Sequence, residues 1–284
     1  VEIHEHRGLK IRYERRGCGA PVVLLHNGGT SHVIWSEVVA RLEGEYETFA
    51  LDLLGYGASD KPAEGHDLGH HVDILDGLLT RLGLRNVALV GNCMGSAISL
   101  AYAMRRPDNV RALVLVNPLT SATFDAGGLG FLLGLRRRAP AVAQALYVPF
   151  RRLRLHRSLA RASLRLQFGR AGRARRLHYR DDLCACFTGP GQLPSLIGAL
   201  DDLTNYAFLD EFTPPAGFPP RCTIWGEENF ILASEAGRRL NERLQPERAE
   251  WMAGAGHLLM LEEPEAVAAV IREFLLRHSR ESGT

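Results

Sequence analysis

Hydrophobic and polar positions divide the chain into short apolar runs and longer stretches with helical spacing. Ile3 to Arg7 and Leu9 to Arg15 alternate and meet at Gly8, which predicts an antiparallel hairpin at a sheet edge. Pro21 to Leu25, Tyr46 to Leu53, Val87 to Val90 and Val110 to Val116 predict further strands, most of them fully buried. Apolar residues at helical spacing predict helices over Val33 to Leu42, Val72 to Leu82 and Ser96 to Met104. Strand then helix, repeated, implies a mostly parallel sheet with helices on both faces. From about Leu119 to Pro220 the pattern breaks: there are helical stretches and turn residues but no convincing buried strand. Strands resume at Arg221 to Trp225 and Arg248 to Met252, with helices at Ser234 to Leu244 and Pro264 to His278. The expected fold class is α/β. Residues 1–118 and 221–284 build one core, and residues 119–220 are inserted as a mainly helical lid.

The strand at Val87 and the helix at Ser96 are joined by Gly91-Asn92-Cys93-Met94-Gly95. Small residues on both sides of Cys93 allow a sharp turn without a Cβ clash. Such a turn strains its central residue and pushes that side chain out at the end of the sheet. A structural cysteine in a βα turn is the plainer reading of the same residues.

Gly-x-Cys-x-Gly between a strand and a helix resembles the nucleophile elbow of the α/β-hydrolase family, Gly-x-Ser-x-Gly, with cysteine in place of serine. Other stretches match that family in order. His26-Asn27-Gly28 resembles its turn after the third strand, and Asp52-Leu-Leu-Gly-Tyr-Gly-Ala-Ser59 resembles its Asp-x-x-Gly-x-Gly-x-Ser loop. Gly226-Glu-Glu-Asn229 stands where the family has Gly-x-x-Asp, and Gly254 to His257 resembles the loop of the catalytic histidine. The resemblance implies an α/β-hydrolase fold with a lid over nearly the whole chain. It implies a nucleophile at Cys93, a base at His257 and an orienting residue at Asn229. Glu228 and Asp125 are the alternative acids. The implied oxyanion hole is the N–H of Met94, at the start of the following helix, with that of Gly28 or Asn27. His26 is expected to be a structural hydrogen-bonder, His70 and His71 to face solvent, and His32 is a weaker candidate for lining the pocket.

Two departures from the family pattern are mutually consistent. A serine hydroxyl hardly ionises, so its histidine gains a proton during attack and a buried carboxylate stabilises the imidazolium. A free thiol has a pKa of only about 8.5. A thiolate can balance the imidazolium itself, and an amide oxygen then suffices to orient the ring, as in the Cys-His-Asn set of papain-like proteases. On this reading the Cys93 thiol titrates below its free value, helped by His257 and the helix N-terminus.

The chain has 284 residues, 46% hydrophobic, and a net charge of +2, so as a whole it is not an obvious polyanion binder. No apolar run approaches the roughly 20 residues of a membrane span. The five cysteines are irregularly spaced, which suggests a reducing cytoplasm rather than a disulfide framework. Cys184-Ala-Cys186 lacks a second ligand pair at zinc spacing and is read as structural, so no metal and no cofactor is expected. The near-neutral total hides a polarised molecule: arginine recurs from Arg136 to Arg180, and no Asp or Glu lies between Asp125 and Asp181. A solvated helical face is one explanation. Another is a docking field for the phosphates of coenzyme A or for an acidic acyl carrier protein. Leu132, Leu133, Leu135, Leu153, Leu155, Leu159, Leu164 and Leu166 would line a tunnel for its acyl chain. Nucleic acid is not expected, because aromatic stacking residues are sparse there.

Three functions compete. The first is a thioesterase or acyltransferase with an acyl-cysteine intermediate, motivated by Cys93 and the basic lid. The second is a small-ester or lactone hydrolase, for which dienelactone hydrolase is a precedent with cysteine on this fold. The third is a silent ligand-binding scaffold. Dehalogenase and epoxide hydrolase chemistry is disfavoured, since those relatives carry a carboxylate at the elbow.

Overall fold

The computed structural model describes residues 1–143, 145 and 155–279. Its eight strands are β1 (Glu2–His6), β2 (Leu9–Arg16), β3 (Ala20–Leu25), β4 (Tyr46–Leu51), β5 (Val87–Asn92), β6 (Val110–Val116), β7 (Arg221–Gly226) and β8 (Arg248–Met252). They form one sheet in the order β1-β2-β4-β3-β5-β6-β7-β8. Only β2 runs against its neighbours. This is the mostly parallel α/β sheet expected from the strand and helix pattern.

Alternation along the strands feeds two separate cores. Val22 and Leu24 of β3 join one, Val23 and Leu25 the other, because successive side chains leave opposite faces. Helices α1 (Ser36–Leu42) and, from the far end of the chain, Pro264–Arg277 cover the first face. Helices α2 (Leu68–Arg81) and α3 (Met94–Arg105) cover the second. Both ends of the sequence thus close one core. All strands from β3 onward point the same way, so the loops after β3, β4, β5, β6, β7 and β8 gather at one edge.

Two helices start differently from their periodicity. The stretch at Val33 opens with a 3₁₀ turn, His32–Trp35, before α1. Helix α2 begins at Leu68 because Asp67 caps it, accepting the N–H of His70 at 2.8 Å. That extra turn carries His71 inward. Contrary to expectation His71 is buried, bonded to the carbonyls of Asp67 and Leu54.

The chain leaves the sheet at Val116 and returns at Arg221. Between them lie α4 (Ser121–Asp125), α5 (Gly130–Arg138), α6 (Arg157–Gln167), α7 (Arg170–Ala174), α8 (Asp181–Thr188), α9 (Gln192–Asp202) and α10 (Ala207–Glu211). Among the described residues this stretch holds no strand, and among the described residues of the whole chain no single helix is long and apolar enough to cross a membrane. After β7 come α11 (Ser234–Leu244), α12 (Leu259–Glu262) and α13 (Pro264–Arg277).

Many of the arginines in this stretch meet carboxylates of the chain itself. Arg136 pairs with Asp201 at 2.7 Å, Arg137 with Asp125 at 3.0 Å, and Arg157 with Asp181. Arg173 reaches Glu228 at 3.0 Å, and Arg180 reaches Asp182 at 2.6 Å and Glu37 at 3.2 Å. Arg175 donates to the carbonyl of Glu262, and Arg161 and Arg176 lie over the Tyr179 ring. The acidic partners come from elsewhere in the sequence, which is why a one-sign run looked unpaired. Arg151, Leu153, Arg152 and Arg154 lie outside the described residues. The leucines do not line one tunnel: Leu133 and Leu164 are buried in the two cores, whereas Leu159 and Leu166 are exposed. A helix puts only one stripe of its residues inward.

Candidate active site

Cys93 sits between β5 and α3 with φ 53° and ψ −109°, a conformation rarely adopted by side chains other than glycine. The flanking glycines are required by contact. A Cβ on Gly95 would lie 2.2 Å from the carbonyl oxygen of Leu25, and one on Gly91 would lie 2.3 Å from the carbonyl carbon of Gly95. The strand, the helix and β3 therefore approach closely, and Cys93 is held at the gathered loop edge. The N–H of Met94, first residue of α3, points at the Cys93 sulfur.

The turn after β3 is braced by its own side chains. His26 donates from Nδ1 to the carbonyl of Asn27 at 2.7 Å, and its Nε2 accepts the N–H of Leu53 at 2.9 Å. Burial pushes this imidazole down to about 4. It is the structural hydrogen-bonder expected. Asn27 accepts from Thr30 Oγ1 at 2.7 Å and donates to the carbonyl of Gly28 and to Gln167. No acceptor of the Gly28 N–H occurs among the described residues. His32 is taken up elsewhere: its Nδ1 lies 2.7 Å from Asp52 Oδ1. Burial works against the Asp52 carboxylate, yet bonds from His32, the nearby His26 and the N–H of Ala58 hold it down at about 2.

Asn229 and His257 meet after β7 and β8. Asn229 Oδ1 accepts the N–H of Ile231 at 3.0 Å and of Leu232 at 3.1 Å. Two backbone donors can point only at an acceptor, so the amide cannot be turned round. The same oxygen lies 3.1 Å from His257 Nδ1. That nitrogen must carry the proton, and Nε2 is left as the basic nitrogen. Burial pushes the His257 imidazole down to about 3. The two alternative acids are engaged elsewhere. Glu228 accepts from the N–H of Arg170 at 2.7 Å and pairs with Arg173, and Asp125 pairs with Arg137.

Four further residues hold the His257 loop, and none of them stood out in the sequence. His257 N–H donates to the carbonyl of Gln167 at 2.7 Å. Its carbonyl accepts from Asn117 Nδ2 at 3.1 Å and Asn92 Nδ2 at 3.3 Å. Asn92 is the neighbour of Cys93, so the two loops are tied together. Glu262, buried, accepts N–H groups from Gly256 at 2.7 Å, Gly172 at 2.9 Å and Gly169 at 3.0 Å. Asn92 was visible only as an unspecified position of the elbow pattern. Asn117 followed a strand end, and Gln167 and Glu262 carried no motif.

Burial works against the low thiol pKa expected from the motif. Burial pushes Cys93 up to about 12, and the Met94 N–H offsets only part of it. With His257 also pushed down, burial favours the neutral form of each group. Iodoacetamide at pH 7 is expected to label the exposed Cys18 before Cys93, which peptide mass mapping would read. Faster labelling of Cys93 would restore the ion pair.

The buried imidazoles also set acid sensitivity. Folded His26 and His257 stay neutral down to about 4 and about 3, whereas the unfolded chain protonates them near pH 6.5. Below about pH 6.5 the unfolded state binds more protons, so stability is kept above that pH and lost as pH falls towards 4. Each imidazole should cost about 1.4 kcal/mol per pH unit, roughly 3 for the pair. The urea midpoint should fall steadily between pH 6.5 and 4.5. An unchanged midpoint across that window would contradict the neutral assignments.

The description alpha/beta hydrolase fold matches residues 20–264 of this chain. The chain belongs to the alpha/beta hydrolase fold family. Its named relatives include hydrolases and an oxetanone decarboxylase. A haloalkane dehalogenase from Agrobacterium fabrum is 40% identical over 112 residues, 39% of this chain and 37% of the dehalogenase. A 2-hydroxy-6-oxo-2,4-heptadienoate hydrolase from Pseudomonas putida is 25% identical, over 94% of this chain and 93% of its own length. Among solved structures, a thermophilic esterase from Thermogutta terrifontis superposes with a TM-score of 0.79 at 22% identity, covering 97% of both chains. An N-acyl homoserine lactone degrading enzyme superposes with a TM-score of 0.75 at 20% identity, covering 96% of this chain and all of the other.

Proposed function

We propose that this chain hydrolyses carboxylic esters or lactones through an acyl intermediate on Cys93. The observation that carries the reading is the amide of Asn229. Fixed by two backbone donors, it sets the tautomer of His257 and leaves Nε2 free to take a proton. In the proposed cycle Cys93 Sγ attacks the carbonyl carbon while its proton passes to His257 Nε2. The carbonyl oxygen becomes an oxyanion held by the N–H groups of Met94 and Gly28, with Asn27 shaping that turn. Collapse expels the alkoxide, which takes the proton from His257. Water then attacks the acyl carbon and loses a proton to the same nitrogen; collapse breaks the C–S bond, the leaving Cys93 thiolate takes that proton back, and the acid is released. Residues 119–220 act as the lid. Phe187 and Leu196 of that segment would contact any Cβ placed on Gly29, so they close over the oxyanion turn. Relatives named for ester and lactone substrates agree in kind.

Acyl transfer from an acyl carrier protein or coenzyme A thioester is the other use of the same cysteine. It was motivated by Cys93 and the basic lid, and the ion pairs of Arg136, Arg137, Arg157, Arg173 and Arg180 remove much of the second motive. A panel of neutral esters, lactones and coenzyme A thioesters at 0.1 and 1 M salt separates the two. Turnover of esters or lactones with little salt dependence is expected, since the Debye length falls from about 10 to 3 Å without a charged partner to screen. Preferential turnover of the coenzyme A thioester, lost at high salt, would favour the carrier reading instead.

A further inference from the structure

The side chains that build the oxyanion turn are bonded within it, but one that faces it is not. Tyr56, in the loop after β4, is fully buried, and its oxygen has no hydrogen-bond partner among the described residues. Its ring stands edge-on to His26 with centroids 5.7 Å apart. Its hydroxyl is aimed at the oxyanion turn: a Cβ placed on Gly28 would lie 3.3 Å from Oη. Burial raises the phenol pKa, so the hydroxyl stays a neutral donor. A desolvated O–H without an acceptor lowers stability. Here that loss is carried beside the place where an acceptor arrives with the substrate.

We propose that Tyr56 is a catalytic residue, its hydroxyl donating a hydrogen bond to the carbonyl oxygen of the bound ester or lactone as a third oxyanion donor. The inference rests on the hydrolase reading above. As the Cys93 sulfur bonds the carbonyl carbon, the π pair moves to oxygen and the thiol proton moves to His257 Nε2. Tyr56 keeps its own proton throughout. The need for it follows from Asn229. With no carboxylate behind His257, less of the separated charge is compensated at the imidazolium, and an added donor compensates more of it at the oxyanion. Donors held in place in a water-poor site act strongly on developing charge.

Tyr56→Phe removes the oxygen and keeps the ring. With a p-nitrophenyl ester, kcat should fall about 100-fold, the usual scale for one lost oxyanion donor. KM should stay within about twofold and the thermal midpoint should be unchanged or higher, because an unsatisfied hydroxyl has gone. A packing role gives no loss of kcat with Phe, so kcat within twofold of the parent overturns the proposal. A second readout is affinity for a trifluoromethyl ketone, which forms a tetrahedral oxyanion adduct on a thiol. Tyr56→Phe should bind it at least about tenfold more weakly, since an oxyanion donor acts on the tetrahedral state; equal affinity overturns the proposal. Parent and Cys93→Ala are assayed alongside. If the parent shows no Cys93-dependent turnover of esters or lactones, the hydrolase reading fails, and the ketone comparison still decides on Tyr56.

Discussion

Cys93→Ser should lose turnover on the order of 10³-fold, although it changes one atom. In the proposed cycle a neutral, buried nucleophile hands its proton to His257. The thiol starts with an intrinsic pKa of about 8.5, and a serine hydroxyl is far less acidic. The deficit must be made up by stabilising the imidazolium, and Asn229 offers only an amide oxygen to Nδ1. Adding Asn229→Asp should recover roughly 10- to 100-fold, because a carboxylate at that place stabilises the protonated ring. The exchange is nearly isosteric. One oxygen keeps the bonds to Ile231, Leu232 and His257, and the other takes the place of Nδ2, which is buried without a partner. An unpartnered buried carboxylate oxygen should cost some stability, so activities are compared at a temperature where both variants are folded. Steady-state rates of the parent, both singles and the double form a cycle. Equal activity of Cys93→Ser and parent would remove the chemical reason for pairing cysteine with asparagine.

His257→Ala should lower kcat by on the order of 10³- to 10⁴-fold, since no other base is set up to receive the thiol proton. The parent's pH profile carries the same information without a mutation. A base works only when unprotonated, and burial pushes His257 down to about 3. The acid limb of kcat/KM should therefore lie well below the ordinary histidine value near 6.5, within the range where the chain is still folded. Asn229→Asp favours the imidazolium and should move that limb upward. A parent limb near pH 6.5 would show that His257 is far better solvated than its 1% exposure implies.

Most of the sheet was legible because strand runs and helix periodicity are local properties. The elbow was legible because a strand, two glycines forced by contact and a helix leave few alternatives for Cys93. Asn229 was legible only through its place after β7. What fixes its amide, two backbone N–H groups converging on one oxygen, is a tertiary fact. The residues that hold the His257 loop were not legible. Gln167 accepts the N–H of His257 through its backbone, and Glu262 accepts backbone N–H groups as far away as Gly169; backbone partners leave no mark on composition. The same blindness made the arginines look like an unpaired field, since Glu37 and Glu228 lie far from them in sequence. The titration of Cys93 failed for another reason. Charge partners can be guessed from a motif, but the depth of burial that opposes ionisation cannot.

The proposed acyl-cysteine can be weighed directly. The protein is mixed with a p-nitrophenyl ester or a lactone, quenched in acid within the first turnover, and analysed by intact mass and peptide mapping. A single acyl group on Cys93 is expected, formed and discharged at the rate of hydrolysis and absent from Cys93→Ala. An acyl group on another residue, or hydrolysis that survives in Cys93→Ala with no adduct, would contradict it.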